Sequence, residues 1–202
     1  VTERLFTHAE QRQIVSACPT LRDQTALTML FTLGIRKKAL RLFQLGDYDA
    51  DRGLADFQWK NKPTHTLPIL GELSVLLERY IAERSSDTHD WPTEYLLYPE
   101  RIGPSWNPDL PKLRVLWCDR QKAMSESAVH RWWTRRLETA EVEHRRMHVA
   151  RHTTIADFIR KGGRIEQAQL LAGHRRISTT VDTYGHVELS DLEATMRRQA
   201  KR

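Results

Sequence analysis

The sequence predicts a predominantly α-helical domain with a small antiparallel β-sheet (α+β). Most apolar residues recur every three or four positions, in segments opened by Ser/Thr caps and closed by Gly or Pro. One stretch, Leu54 to Ile69, alternates instead around the polar turn Lys60-Asn61-Lys62-Pro63, as a hairpin does. The length of 202 residues, 40% of them hydrophobic, suffices to bury one core.

Thr7-His8-Ala9-Glu10 is a capping box, and the helix it opens carries Ile14, Val15 and Ala17 before Pro19. A second helix is expected from Leu21 to Leu33, with Ala26, Leu27, Leu30 and Phe31 inward. Gly34 ends it, and a third is expected over Ile35 to Phe43. After the hairpin, Leu73, Leu76, Leu77 and Tyr80 predict a helix over Glu72 to Ala82. Residues 84–124 hold five of the eight prolines and read as an internal excursion, mostly loop, with extended pieces near Tyr95–Tyr98 and Leu113–Trp117. Helices are then expected over Ser127–Thr139, Arg151–Lys161, Ile165–Leu171 and Ser178–Tyr184. The capping box Ser190-Asp191-Leu192-Glu193 opens a basic tail helix within 188–202. The whole of 1–202 is read as one domain.

Composition narrows the function classes. No run approaches the roughly 18 apolar residues of a helical membrane span, and Val1-Thr2-Glu3-Arg4 does not begin a signal peptide. Cys18 and Cys118 make no disulfide framework and suit a reducing, cytoplasmic setting. The net charge of +6 and a pI near 9.5 suit a polyanionic partner.

Four separated pieces stand out: Thr32-Leu33-Gly34-Ile35-Arg36; Lys60 in its turn, eight residues before Pro68; Met147-His148-Val149-Ala150-Arg151-His152; and Leu171-Ala172-Gly173-His174, with Tyr184 ten residues after His174. In this order and spacing the chain, from roughly Thr7 to Val187, resembles the catalytic domain of tyrosine recombinases, the phage integrase family. The resemblance implies a site-specific recombinase that cleaves and rejoins double-stranded DNA through a 3′-phosphotyrosyl link. Its catalytic set would be Arg36, Lys60, His148, Arg151, His174 and Tyr184. It implies no metal and no cofactor, because the phosphotyrosyl link preserves the bond energy. It also implies a homo-oligomer, a tetramer, on DNA, with the isolated domain a monomer, and a cytoplasmic location. No room is left before Thr7 for the family's amino-terminal DNA-clamping domain, so the chain reads as the catalytic domain alone.

The chemistry agrees with the residue types. Attack at a phosphodiester builds charge on the non-bridging oxygens, which the planar guanidinium forks of Arg36 and Arg151 would clamp. His148, three residues from Arg151, shares its helical face and would help handle the nucleophile's proton. Only about one tyrosine in a thousand is phenolate at pH 7, so Tyr184 needs such help. The resemblance gives Lys60 the proton for the departing 5′ oxygen and His174 a hydrogen bond to the phosphate. Ala39 stands where family members often carry an acidic brace, and Ala150 where they carry Leu or Phe.

Each piece has a plainer reading. Arg36 could cap a helix, Lys60 could be a solvated turn lysine with Lys62 as rival, and His174 could cap a helix end. Tyr184 could be half-buried core. His152 reads as a structural hydrogen-bonder, and Trp132 and Trp133 as half core and half basic surface. His148 and His152 have zinc-helix spacing, but Val149 stands where a metalloprotease carries Glu. The alternatives to a recombinase are a type IB topoisomerase and a non-catalytic basic DNA-binding module.

Overall fold

The computed structural model describes residues 4–59, 62–85, 94–104, 113–173, 176 and 178–181. In chain order these form α1 (His8–Ser16), α2 (Leu21–Leu33), α3 (Lys37–Leu42), a 3₁₀ turn (Leu45–Asp47), β1 (Tyr48–Asp49), β2 (Leu54–Trp59), β3 (Lys62–Pro68) and α4 (Glu72–Ser85). There follow β4 (Glu100–Pro104), β5 (Leu113–Cys118), α5 (Glu126–Thr139), α6 (Met147–Arg160) and α7 (Ile165–Ala172). Residues 178–181 make a further helical turn. The α+β class holds. β1, β2 and β3 pair antiparallel in that order, and β4 pairs with β5 in a separate two-stranded ribbon.

α2 is the axis of the domain. Ala26, Leu27, Met29 and Leu30 are fully buried, and so are most of their neighbours round the helix, because α1, α4 and α6 pack on different sides of it. Its ends are where the sequence puts them. The Thr20 side chain accepts the Asp23 amide, and Gly34 takes the left-handed conformation past the last turn. The Thr7–Glu10 capping box of α1 is also formed, and the Glu10 carboxylate continues to buried Arg145 on the loop before α6. That bond to Arg145, first among several, holds Glu10 down to about pKa 2.

Four expectations change. α3 starts at Lys37, because Gly34 at φ 58° leaves Arg36 extended as the N-cap. α6 starts at Met147, so His148 and Arg151 both sit on formed helix; its N-cap, Arg146, carries no side-chain cap that would have announced it. The proline-rich excursion is partly sheet: β5 lies where extended chain is expected, while its partner β4 falls after Tyr98. Leu96, Leu97 and buried Glu94, paired with Arg84, anchor the excursion in the core. Both tryptophans are inside, at 6% and 0% exposed. Trp132 Nε1 donates to Asp23 at 3.0 Å and Trp133 Nε1 to the Arg145 carbonyl at 2.7 Å. An indole can be buried whole once its N–H has a partner.

Candidate active site

Arg151 ties the described part of the candidate site together. It is 2% exposed on the first turns of α6, facing the end of α2. Its Nη1 donates to the Gly34 carbonyl at 2.6 Å and its Nη2 to the Ala172 carbonyl at 2.6 Å. One fork thus ties the turn after α2 and the end of α7 to the His148–Arg151 helix. Each contact is a short hydrogen bond from a permanent cation, the stronger kind.

Gly34, the cap that follows α2, lies close against α6. A Cβ there would stand 3.2 Å from Thr154 Cβ and 3.5 Å from the Arg151 carbonyl, on a backbone at φ 58°. Thr154 Oγ1 donates to the Phe31 carbonyl at 2.9 Å across the same seam. Gly34→Ala is therefore expected to destabilise the fold by about 1–3 kcal/mol, from left-handed strain and crowding together. Urea unfolding measures it, and a loss below about 0.5 kcal/mol would mean that the turn tolerates a side chain.

Arg36 follows Gly34 by two residues and is half-buried; burial lowers its pKa, which for a guanidinium leaves it charged. Its charge and that of Arg151 both act on His148. Both arginines therefore lie near that imidazole, Arg36 just after the Gly34 carbonyl that Arg151 holds. His148 is exposed overall, yet its pKa is lowered to about 4. Desolvation is the first cause, and His152, Arg151, Arg36 and Arg146 all push the same way. At neutral pH the ring is uncharged, able to accept a proton. Because the folded value lies below the usual 6.5, the unfolded chain binds the extra proton first. His148 therefore opposes folding increasingly as pH falls from about 6.5 toward 4.

The other three predicted residues lie outside the described residues. Lys60 falls between Trp59 and Lys62, which pair at the ends of β2 and β3. His174 follows Gly173, the left-handed cap of α7. Tyr184 follows the helical turn 178–181. The structure thus brings together Arg36, His148 and Arg151 among the predicted set, and adds three features around them. The carbonyls of Gly34 and Ala172 hold Arg151. The ring of His152 sits against His148, a contact that their four-residue spacing signals. Arg146 adds its charge. Ala39 is buried and apolar, packed in the core where an acidic brace would stand. Among the described residues, no group of three or more His, Cys, Asp or Glu side chains gathers to hold a metal ion. Also among the described residues, no helix is long and apolar enough to cross a membrane.

Three comparisons bear on this arrangement. The pattern of the phage integrase family matches residues 4–190. Tyrosine recombinase XerC of Pelotomaculum thermopropionicum is 25% identical over 206 residues, covering 98% of this chain and 62% of the relative. XerC of Pseudomonas fluorescens is matched over 51% of its length, so the chain spans about half to two thirds of the curated relatives it resembles. The crystal structure of XerA recombinase superposes with a TM-score of 0.74 at 20% identity, over 100% of this chain and 65% of that one. The fold is the one found in tyrosine recombinase catalytic domains.

Proposed function

The chain belongs to the phage integrase family, and from that premise we propose that residues 1–202 are the catalytic unit of a site-specific DNA recombinase acting through a phosphotyrosyl intermediate. The observation that carries the reading is the Arg151 fork. It joins the backbone beside Arg36, the helix bearing His148, and the residue two before His174. Three stretches far apart in sequence are thereby drawn together around Arg151, with Arg36 and His148 close by.

In this reading a phosphate of duplex DNA enters between Arg36 and Arg151, whose charges stabilise the oxygens as they gain charge in the transition state. His174 adds a hydrogen bond. The Tyr184 phenol attacks phosphorus while His148 accepts its proton, and Lys60 protonates the departing 5′ oxygen. The phosphotyrosyl bond keeps the energy of the broken linkage, so rejoining is the same reaction reversed and needs neither nucleotide nor metal. The partner is double-stranded DNA, the working assembly a tetramer across two sites with the isolated unit a monomer, and the setting the cytoplasm. The solved complex of the Tn1549 transposon integrase with transposon right-end DNA supports the choice of ligand. That chain shares the fold, with a TM-score of 0.70 at 16% identity over 99% of this chain and 67% of that one.

The test is covalent capture. Nicked duplexes bearing candidate core sites, which lose a short fragment on cleavage, are expected to trap a denaturant-resistant protein–DNA adduct. A run on supercoiled plasmid beside it separates the neighbouring chemistry. Relaxation with no preference for sequence would make the protein a topoisomerase of the same bond chemistry. Salt-sensitive binding without any adduct would make it a DNA-binding module.

A further inference from the structure

His152 stands one helical turn after His148 on the same face of α6. The two imidazoles meet edge to face, with centroids 4.4 Å apart and planes at 84°. The cleavage step asks two things of His148: a ring free of its second proton, and a ring nitrogen aimed at the phenol. An exposed side chain on the first turn of a helix is held to one orientation only by what packs against it, and His152 is a ring that does so.

Resting on the reading above, the geometry points to His152 as a positioning residue, whose ring holds the His148 imidazole in the orientation that receives the Tyr184 proton. In the step it serves, the phenol oxygen forms a bond to phosphorus and the P–O5′ bond breaks. The phenol proton passes to His148, and the departing O5′ takes a proton from the Lys60 ammonium, so charge and atoms balance.

The surrounding charges give His152 a second effect. The groups acting on His148 are Arg36 at the start of α3 and Arg146, Arg151 and His152 at or along α6. The three arginines are permanent cations. His152 is the member of that group whose substitution leaves the arginines in place, so a variant without its imidazole relieves one of the influences that hold His148 low.

The experiment compares the wild-type chain with His152→Phe and His152→Asn. Phenylalanine keeps a ring at the contact but no titrating group; asparagine keeps polarity and removes the ring. Ring-nitrogen NMR reads the His148 midpoint in the full chain, and single-turnover adduct formation is followed from about pH 5 to 9. In both variants the His148 midpoint is expected to rise by about one unit, and the acid limb of the cleavage profile with it. Adduct formation by His152→Asn is expected to fall about 10- to 100-fold at its optimum, while His152→Phe recovers to within about threefold of wild type above pH 8. Recovery by a ring that cannot titrate is a result that a plain hydrogen-bonding role would not produce. A wild-type adduct with both variants indifferent, in midpoint and in rate, overturns this role alone. A wild-type chain that forms no adduct at any pH overturns the recombinase reading and this role together.

Discussion

Tyr184→Phe is expected to abolish the covalent protein–DNA adduct altogether while changing affinity for the duplex by no more than about fivefold. The phenylalanine has no oxygen to join to phosphorus, so no residual route to the intermediate remains. The binding cost is at most that of one hydroxyl hydrogen bond, roughly 1 kcal/mol. Denaturing gels read the adduct, and native gel shifts read the affinity. The alternative nucleophiles are few, because the chain has five tyrosines. Tyr80 is buried and its pKa is pushed upward, chiefly by desolvation; Tyr98 is shifted the same way for the same first reason. Tyr48 is also buried and raised, and its hydroxyl donates to Glu78 at 3.1 Å. Tyr95 is bound through its backbone, in a bridge to Gln44 and a hydrogen bond to the Arg120 carbonyl. A raised pKa makes a phenol harder to turn into a phenolate, which is the opposite of what a nucleophile needs. An adduct persisting in the Phe variant would therefore remove Tyr184 from the mechanism and require a serine, threonine or cysteine chemistry instead.

The second large effect is expected at Arg151, and it should appear twice. Arg151→Ala strips the Gly34 and Ala172 carbonyls of their partner and removes a large side chain that is almost wholly buried. Two buried acceptors without donors and a cavity together predict a loss of about 2–5 kcal/mol in unfolding free energy. Arg151→Lys keeps the charge, but a single ammonium lacks the planar fork that spans two carbonyls and still faces a phosphate. It is expected to fold, at a smaller stability cost, and to form the adduct at least about 10²-fold more slowly. Arg36 provides the contrast. It is only half-buried, so Arg36→Ala should cost a similar 10²–10³ in rate with less loss of stability. Denaturant unfolding beside single-turnover cleavage separates the two arginines. A lysine variant at 151 that cleaves within about threefold of wild type would strip Arg151 of its role at the phosphate.

Much of the scaffold was legible because local signals and tertiary demands agree. Thr7 with Glu10, Thr20 before α2 and Gly34 after it are caps whose chemistry acts within a few residues, and each does what the pattern predicts. The β2–β3 hairpin follows from alternation and a polar turn, and its register sets Phe57, a core residue, opposite His65. In the ribbon, β5 falls on an expected extended piece, but β4 and the pairing itself were hidden for the opposite reason. Prolines mark a segment as poor sheet by local propensity, and only pairing with a strand nine or more residues away recovers it. Trp132 and Trp133 read as half core and half surface because adjacent residues diverge on a helix, and what lets Trp132 go inside is a distant acceptor for its N–H. The acceptor is Asp23, 109 residues earlier.

Residue identity and spacing alone determined the class of fold, the family resemblance, and the list of groups to watch. Those depend on side chains, and side chains are what a sequence records. The tertiary structure alone decided that Arg151 is locked between the Gly34 and Ala172 carbonyls and that burial and the neighbouring arginines hold His148 below the usual histidine range. A main-chain carbonyl is the same group at every position, so no letter in the sequence announces which one will meet a guanidinium folded back from 117 residues away.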